Sequence, residues 1–503
     1  MHGKMMDMSQ VAFPFLAGGS DKTALLDQGR SVSYSDLSRR IQLFASGLLA
    51  GETDLGEERI AFLLPASVDY VTVLHGVWRA GGIAVPLNVA CTPNELEHYL
   101  ACAGVTRLVT NGSYASSMRD LCGELGVRLC LVEDVVTDVV VELPVIDKAR
   151  RGMILFTSGT TSKPKGVVTT HRTIEAQITT LVSAWKWQDD DVIPLFLPLH
   201  HIHGIINVLC CGLWVGATVD LWPKFDAVGI TSLVANHRYT VFMAVPTIYV
   251  KLIQFFATLK PERVEQICEG FRQMRLMVSG SAACPAKLFH EWRDLTSQSL
   301  LERYGMTEIG MGLSNPYAGE RRAGSVGQPL PGVQVQLFDE QDKPITEPAT
   351  PGEIRVCGDN VFLEYWDNET ATREAFKDGW FCTGDVAVVE DGYYRIMGRS
   401  SIDIIKSGGY KLSALEIEGV LLTHEAIKEV AVIGVEDETW GEAVVGVVVL
   451  HGGASLEYPD FKAWAEGRMS PYKIPKKLVQ VAALPRNAMG KVTKTELKTA
   501  CQA

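Results

Sequence analysis

The 503-residue sequence lacks features that define several large classes of protein. Its 11 cysteines are an odd number and none stands in a C-x-x-C pair, which disfavours a zinc site and a disulfide framework. Positive charge is in the minority, with 47 Lys+Arg against 59 Asp+Glu and a net charge of −12. Such a surface repels a phosphate backbone, so nucleic acid is not expected as a partner.

Targeting signals and long apolar runs are also scarce. Residues 1–15 do not combine a basic start with an apolar stretch, as a secretory signal does, and the last three residues match no retention address. The run from Gly204 to Val219 is shorter than the roughly 18 apolar residues of a membrane span and is interrupted by Asn207. We therefore expect a cytoplasmic protein without membrane partners, in which this run forms a buried helix leading into a strand.

Short apolar runs alternate with helical periodicity in the first third of the chain. The runs 60–64 and 83–85 flank a helix predicted over 67–80, with Ser67 as its N-cap and Gly81 as its terminator. Strands separated by helices indicate a parallel sheet. The fold class predicted for this part of the chain is α/β.

The pattern changes after about residue 333, where short β-type runs separated by Pro, Gly and Asp predict a β-rich subdomain. Asp391-Gly392 stands between two of these runs and is the strongest short-range signal of a two-residue hairpin turn. If these two residues form the turn, residues 390 and 393 pair, and Asp385 lies opposite Gly398 and next to Arg399.

The last hundred residues mix helical stretches with apolar strand-like runs at 430–434 and 443–450. We therefore expect two domains. The large N-terminal domain, residues 1–399, contains packed α/β sheets plus the β-rich subdomain, and the small α+β C-terminal domain spans residues 400–503.

A strand-like run at 153–156 leads into a loop rich in hydroxyl groups, lysine and glycine, with the sequence TSGTTSKPKG over residues 157–166. Backbone N–H groups, hydroxyls and ammonium groups of such a loop suit a polyphosphate. The order of residues does not fit G-x-x-x-x-G-K-[ST], because the lysines precede the final glycine. A P-loop kinase or ATPase is therefore disfavoured.

This loop resembles the nucleotide loop of the adenylate-forming enzymes, which include acyl-CoA synthetases and the adenylation domains of peptide synthetases. Further blocks follow in that family's order, so the resemblance covers nearly the whole chain. They are LPLHHIHG at 197–204, SGSA at 279–282, YGMTE at 304–308, TGD at 383–385, GR at 398–399 and PRNAMGK at 485–491.

The resemblance implies ATP and coenzyme A as co-substrates and Mg²⁺ as the metal cofactor. The ATP-binding residues that it implies are Thr157, Ser158, Gly159, Thr160, Thr161, Ser162, Lys163, Lys165, Gly280, Ser281, Ala282, Glu302, Tyr304, Gly305, Met306, Thr307, Asp385, Arg399 and Lys491. Within this set, the loop residues would hold the β- and γ-phosphates, residues 280–282 and Tyr304 would frame the adenine, and Asp385 would bind the ribose hydroxyls.

Three catalytic roles also follow from the resemblance. Lys491 would bridge the acyl carboxylate and the α-phosphate, Thr307 would contact the α-phosphate, and Glu308 would ligate Mg²⁺ together with Thr160. Members of the family rotate their small C-terminal domain between two poses. The hinge is expected in residues 400–403, and Gly408 and Gly409 would then face the coenzyme A tunnel.

The acid to be activated is indicated by charge near the adenine block. Arg303 directly precedes that block, and arginine is the residue best suited to bind a second carboxylate on a substrate. The neighbouring stretches are similar to malonyl-CoA synthetases, which implies malonate as substrate. We expect His201, Lys251, Arg303 and Met306 to bind it. Lys251 stands where bacterial relatives often have arginine, so tolerance for methylmalonate is open.

Two other functions are compatible with the same residues. One is an acyl-CoA synthetase for another short mono- or dicarboxylic acid, and the other is a stand-alone adenylation enzyme that loads a carrier protein. Only twelve residues follow Lys491, so a carrier would have to act in trans. The oligomeric state is left open.

Overall fold

The computed structural model describes residues 13–157, 164–400, 402–407, 410–437, 440–486 and 492–502. Its strands are β1 (Thr23–Asp27), β2 (Arg30–Ser33), β3 (Arg59–Leu63), β4 (Ile83–Pro86), β5 (Arg107–Thr110), β6 (Arg128–Leu131), β7 (Arg151–Thr157), β8 (Lys165–Thr170), β9 (Val192–Leu195), β10 (Thr218–Leu221), β11 (Val241–Ala244), β12 (Leu276–Ser279), β13 (Leu301–Met306), β14 (Gly310–Ser314), β15 (Gln328–Pro329), β16 (Gln334–Phe338), β17 (Gly352–Cys357), β18 (Glu364–Tyr365), β19 (Phe376–Lys377), β20 (Trp380–Glu390), β21 (Tyr393–Arg399), β22 (Ile404–Ser407), β23 (Tyr410–Ser413), β24 (Ile427–Asp437), β25 (Gly441–Leu450) and β26 (Lys477–Gln480).

Helices cover these sheets. They are α1 (Pro14–Gly18), α2 (Tyr34–Leu49), α3 (Val68–Arg79), α4 (Pro93–Ala103), α5 (Gly112–Leu125), α6 (Val132–Val135), α7 (His171–Ala184), α8 (Cys211–Val215), α9 (Ala227–Ala235), α10 (Pro246–Phe256), α11 (Pro261–Arg272), α12 (Ala286–Thr296), α13 (Glu369–Glu374), α14 (Ala414–Leu421), α15 (Tyr458–Ala465) and α16 (Lys494–Gln502), with a π-helix over His203–Cys210.

The α/β prediction is confirmed by a seven-stranded sheet in the order β18-β8-β7-β4-β3-β5-β6. Strands β7, β4, β3, β5 and β6 are parallel to one another, whereas β8 is antiparallel to β7. The predicted helix is α3, whose first turn is capped by the Ser67 side chain accepting from the backbone N–H of Tyr70. Gly81 follows with φ +84°, a conformation that favours glycine and ends the helix.

Two further sheets complete the part of the fold that positions the site. One has the order β2-β1-β10-β9 and the other the order β11-β12-β13-β14-β15, in which β11, β12 and β13 are parallel. The run 204–219 passes from the π-helix through α8 towards β10 and is largely buried, as expected. Of the helices in the described ranges, none combines the length and the apolar character needed to cross a membrane.

The β-rich subdomain is a sheet of β16, β17, β20 and β19, with β21 paired to β20. The predicted turn is confirmed, because Glu390 pairs with Tyr393 across Asp391-Gly392. The predicted partner of Asp385 is wrong by one position, since Asp385 lies opposite Arg399 rather than Gly398. A bulge at Met397 adds one unpaired residue to β21, and counting residues from the turn cannot reveal it.

The end of the chain forms a smaller sheet of β23, β22, β25, β24 and β26 with apolar residues on both faces. Alternate residues of β24 point to opposite sides, as the two-residue period of a strand requires. Val432 packs in one cluster with Ile417 of α14, and Ile433 packs in another with Leu497 of α16. The helices therefore cover both faces, and this unit has a core of its own.

Candidate active site

Three parallel strands end at one edge of a sheet and bring distant segments together. Ala244 at the end of β11 pairs with Ser279 at the end of β12, which pairs with Glu302 in β13. The segments that follow these positions are the start of α10, the loop 280–285 and residues 303–308. In open α/β sheets, ligands bind at the carboxyl ends of parallel strands. This edge therefore holds most of the predicted site.

Arg303 is the most deeply buried cation at this edge, with 3% of its surface exposed. Its guanidinium packs against Gly280, where a Cβ atom would lie 2.5 Å from the Arg303 Cζ atom. Nη2 donates to the Ser281 hydroxyl at 3.3 Å, and Nε has no partner among the described residues. No carboxylate within the described ranges forms an ion pair with it. Burial lowers the Arg303 pKa to about 9, so the group is still charged at neutral pH.

Ser281 connects Arg303 to a buried histidine. Because a guanidinium can only donate, the Ser281 hydroxyl accepts from Arg303, and it is also hydrogen-bonded to His203 Nδ1 at 3.1 Å, where the histidine tautomer decides which group donates. Burial, reinforced by the charges of Arg303 and His201, lowers the His203 pKa well below its ordinary value. His203 is therefore neutral. His201 is half-buried, and its ring lies 4.1 Å from that of His200.

Glu302 holds the loop that follows β12. Its Oε1 atom accepts the backbone N–H of Cys284 at 3.1 Å, and the carboxyl group is buried. Burial raises the Glu302 pKa to about 8. In the same loop, Ser281 has φ +67°, an unusual conformation for a residue with a side chain, and Ser281 and Ala282 are exposed.

Tyr304, Asp385 and Arg399 form a second group. The Tyr304 hydroxyl donates to Asp385 Oδ2 at 2.5 Å, and Arg399 Nε donates to Asp385 Oδ1 at 3.1 Å. Burial raises the Asp385 pKa, although the Arg399 charge opposes this shift. Two fixed donors thus orient the carboxylate that the resemblance assigns to the ribose.

Glu308 lies in the turn between β13 and β14, beside Thr307. The turn is tight, because a Cβ atom on Gly305 would lie 2.1 Å from the carbonyl oxygen of Gly310. Glu308 is 5% exposed, and burial raises its pKa. Its Oε1 atom accepts the Tyr365 hydroxyl at 3.0 Å.

Lys165 is joined to this group through the same tyrosine. Its Nζ atom lies 4.8 Å from the centre of the Tyr365 ring, and in the β7–β8 ladder it pairs with Thr157. Lys165 and Thr157 therefore mark the two ends of the predicted phosphate loop. Tyr365 was missed by the sequence analysis, since no local pattern places it near Glu308.

Some predicted residues are not brought into these groups. Lys251 is exposed on α10, and within the described part of the chain its side chain makes no ion pair or hydrogen bond. Met306 ends β13 and is half-buried. Residues 158–163, which include Thr160, Thr161 and Lys163, together with Gly408, Gly409 and Lys491, lie outside the described residues.

The segment after Arg399 is held by a buried ion cluster that the sequence analysis also missed. Asp403 Oδ2 accepts the backbone N–H of Arg399 at 3.0 Å. Lys494 Nζ, at the start of α16, lies 2.6 Å from both Asp403 Oδ1 and Glu418 Oε1. Burial opposes the Lys494 charge, but the two carboxylates outweigh it and raise the Lys494 pKa. Asp403, the last residue of the predicted hinge segment, is thus tied to the last helix.

The donor set around Glu308 fits Mg²⁺ bound together with a nucleotide. Among the described residues, no group of three or more His, Cys, Asp or Glu side chains could hold a metal ion by itself. Mg²⁺ in phosphate-transfer sites is usually held by one or two carboxylates, substrate phosphates and water. A single buried carboxylate that contacts Tyr365, as the Lys165 ammonium does, meets that need.

Comparisons with known proteins identify the family. A model described as "AMP-binding enzyme" matches residues 15–366, more than half of the chain. The chain belongs to the AMP-binding enzyme family. The family's C-terminal domain model, described as "AMP-binding enzyme C-terminal domain", matches residues 416–491. The adenylate-forming family resemblance is therefore confirmed.

Alignments with individual relatives of this AMP-binding enzyme extend over nearly its whole length. The mitochondrial malonate–CoA ligase of Mus musculus is 43% identical, over 95% of this chain and 88% of that protein. The malonate–CoA ligase of Arabidopsis thaliana is 36% identical, over 99% of this chain and 89% of that protein. The solved structure of ATP-bound MatB from Rhodopseudomonas palustris has a TM-score of 0.89 at 33% identity, and the match covers 97% of this chain and 98% of that one. Because the mouse relative is mitochondrial, the cytoplasmic location stays a prediction.

Proposed function

We propose that this AMP-binding enzyme is an ATP-dependent malonate–CoA ligase, which forms malonyl-CoA, AMP and pyrophosphate through a malonyl adenylate. Malonate–CoA ligases at 36% and 43% identity over almost the whole chain support the reaction. The burial of Arg303 without a carboxylate partner in the described structure is the observation that supports malonate as the acid. A buried guanidinium without a carboxylate partner is costly, unless a ligand supplies that partner. The distal carboxylate of malonate is such a ligand.

The first half-reaction joins the acid to the nucleotide. One oxygen of the malonate carboxylate attacks the α-phosphorus of ATP, the bond between the α-phosphorus and the bridging oxygen breaks, and pyrophosphate leaves. Lys491 and Thr307 are proposed to stabilise the charge that develops on the α-phosphate oxygens. Tyr304 and Arg399 keep Asp385 oriented towards the ribose. Mg²⁺, held by Glu308 and by Thr160, would offset the negative charge of the β- and γ-phosphates.

The second half-reaction forms the thioester. The thiol of coenzyme A attacks the malonyl carbonyl, AMP leaves, and the thiol proton is released. We propose that residues 400–503 act as a mobile domain that rotates at residues 400–403, and that Gly408 and Gly409 then line the coenzyme A tunnel. The separate core of the C-terminal unit supports this division.

The proposal is tested with purified full-length enzyme. Malonate should support exchange of labelled pyrophosphate into ATP without coenzyme A, and AMP release only when coenzyme A is added. Acetate, butyrate, oxalate, succinate and methylmalonate serve as competing acids. Faster turnover of a monocarboxylate would exclude the dicarboxylate assignment, and AMP release that requires an acyl-carrier protein would favour the carrier-loading alternative.

Replacing Arg303 by methionine tests the specificity directly. We expect kcat/KM for malonate to fall on the order of a hundredfold or more, because truncating one partner of a buried charge pair costs about 2–5 kcal/mol. Activity with butyrate should change little. Arg321→Met is a matched control, because among the described residues the Arg321 guanidinium donates to backbone carbonyls alone, including that of Ser299 before β13. Equal losses for malonate and butyrate would move the carboxylate site elsewhere.

A further inference from the structure

A short segment, residues 362–366, crosses between the turn that carries Glu308 and the strand that begins at Lys165. The backbone N–H of Phe362 donates to the Glu308 carbonyl at 2.7 Å, and that of Trp366 donates to the Gly166 carbonyl at 2.7 Å. Within the segment, β18 pairs with β8, so that Tyr365 lies opposite Val167. The segment is thus bonded at both ends to structure that the proposed reaction uses.

Tyr365 extends this bridge with its side chain. Its hydroxyl donates to Glu308 Oε1 at 3.0 Å, while the Lys165 ammonium lies 4.8 Å from its ring centre. The ring is 8% exposed and lies 4.8 Å from that of Phe362. The Tyr365 backbone N–H donates to the Thr372 hydroxyl at 3.0 Å. The tyrosine is therefore fixed from several directions.

The Tyr365 ring lies between two opposite charges and keeps them apart. A lysine and a glutamate this close to one tyrosine could pair directly and neutralise each other, but no ion pair joins Lys165 to Glu308 in the described structure. The face of an aromatic ring attracts an ammonium group, and the N–H donors of that ammonium group remain available because no salt bridge is formed. A hydroxyl bonded to one carboxylate oxygen leaves other lone pairs for a cation. Tyrosine therefore holds both charges while each stays available to a ligand.

We propose that Tyr365 is a positioning residue that sets the carboxylate of Glu308 and the ammonium of Lys165 at the spacing required by a magnesium–polyphosphate group. The inference rests on the proposed function, in which Glu308 ligates Mg²⁺ and Lys165 contacts the phosphates. Tyr365 itself contacts neither the reacting carboxylate nor the α-phosphate. Its effect is confined to the half-reaction that uses the β- and γ-phosphates.

The test uses Tyr365→Phe, which removes only the hydroxyl, and Tyr365→Leu, which also removes the ring. Tyr394→Phe is the matched control, because Tyr394 is equally buried and its hydroxyl donates to a backbone carbonyl, that of Val335, at 3.2 Å. ATP binding to each full-length variant is measured by calorimetry over a range of Mg²⁺ concentrations, without malonate. Malonate-dependent pyrophosphate exchange and thioester formation from preformed malonyl adenylate are measured in parallel.

For Tyr365→Phe, we expect the half-saturating Mg²⁺ concentration to rise about tenfold, in calorimetry and in exchange, because the bond that it removes ends on a charged carboxylate. Thioester formation should stay within about twofold of wild type, since that step involves no pyrophosphate. Tyr365→Leu should also weaken ATP binding at saturating Mg²⁺. An unchanged Mg²⁺ dependence, an equal loss in both half-reactions, or the same shift in Tyr394→Phe would overturn the inference.

Failure of the proposed function gives a different result. If the wild-type enzyme shows no malonate-dependent exchange, the proposed function is wrong, whereas the calorimetric comparison of Tyr365→Phe with wild type still decides the role of Tyr365.

Discussion

Replacing Lys494 by methionine should destabilise the C-terminal unit far more than an ordinary surface substitution. Lys494 contacts both Asp403 and Glu418, and its side chain is 10% exposed. Methionine keeps most of the side-chain volume but leaves two carboxylates in a buried setting without their shared cation. Breaking a buried ion pair from one side costs about 3–5 kcal/mol. The matched change is Lys498→Met, one turn further along α16.

Lys498 pairs with Glu442 at 2.9 Å, but its side chain is 40% exposed. An exposed pair contributes only about 0–1 kcal/mol, so Lys498→Met measures the effect of losing a lysine from the same helix. The comparison therefore separates the effect of breaking the buried cluster from the effects of changing the charge and the helix propensity of α16.

Hydrogen exchange of the full-length protein, followed by mass spectrometry, is the suitable assay. The backbone N–H of Val432 donates to Glu418 Oε1 at 2.7 Å, which makes the amides of β24 direct reporters. In Lys494→Met, local opening of β24 and α16 should increase on the order of 10²-fold or more, against less than about tenfold in Lys498→Met. Similar protection in the two variants would refute the idea that the cluster supports this unit.

Two further predictions concern buried titratable groups. Glu302→Gln should keep the steady-state kcat/KM for malonate within about threefold of wild type at pH 7. The reason is that burial raises the Glu302 pKa to about 8, so the carboxyl group is already mostly neutral. A loss of about a hundredfold would show that the charge is needed. Burial lowers the His75 pKa to about 3 in the folded protein. As the pH falls below about 6.5, His75 is therefore protonated in the unfolded chain but not in the folded one, and the free energy of unfolding decreases. Between pH 6.5 and 5, wild type should therefore lose about 2 kcal/mol more unfolding free energy than His75→Asn, measured in urea, and parallel pH profiles would contradict this.

Local signals were sufficient for elements whose determinants lie close together in the sequence. Ser67 and Gly81 bound a helix that the structure confirms, and Asp391-Gly392 forms the predicted turn. Each depends on backbone preferences within a few residues. Arg303 and Glu308 were placed in the site by the family resemblance, and the parallel strands that bring them to one sheet edge were not predicted.

Contacts between distant residues could not be predicted in this way. Tyr365 and Glu308 are separated by 57 positions, and Lys494 and Asp403 by 91. A single sequence carries no pattern that pairs residues over such distances, because the pairing depends on how whole sheets and helices are packed. The predicted partner of Asp385 was wrong for a different reason. One bulged residue shifts the pairing of every residue between it and the end of the strand.

That bulged residue also shows how large a change in length this hairpin can accept. Met397 is the one residue of β21 without a cross-strand partner, so its removal would leave a regular ladder with Gly398 opposite Val386 and Arg399 still opposite Asp385. The guanidinium and its carboxylate would remain on one side of the sheet, whereas loss of a second residue between the turn and Arg399 would place them on different sides. Homologous segments exchanged across this hairpin can therefore differ by the bulged residue, but they must keep the paired positions between the turn and Arg399.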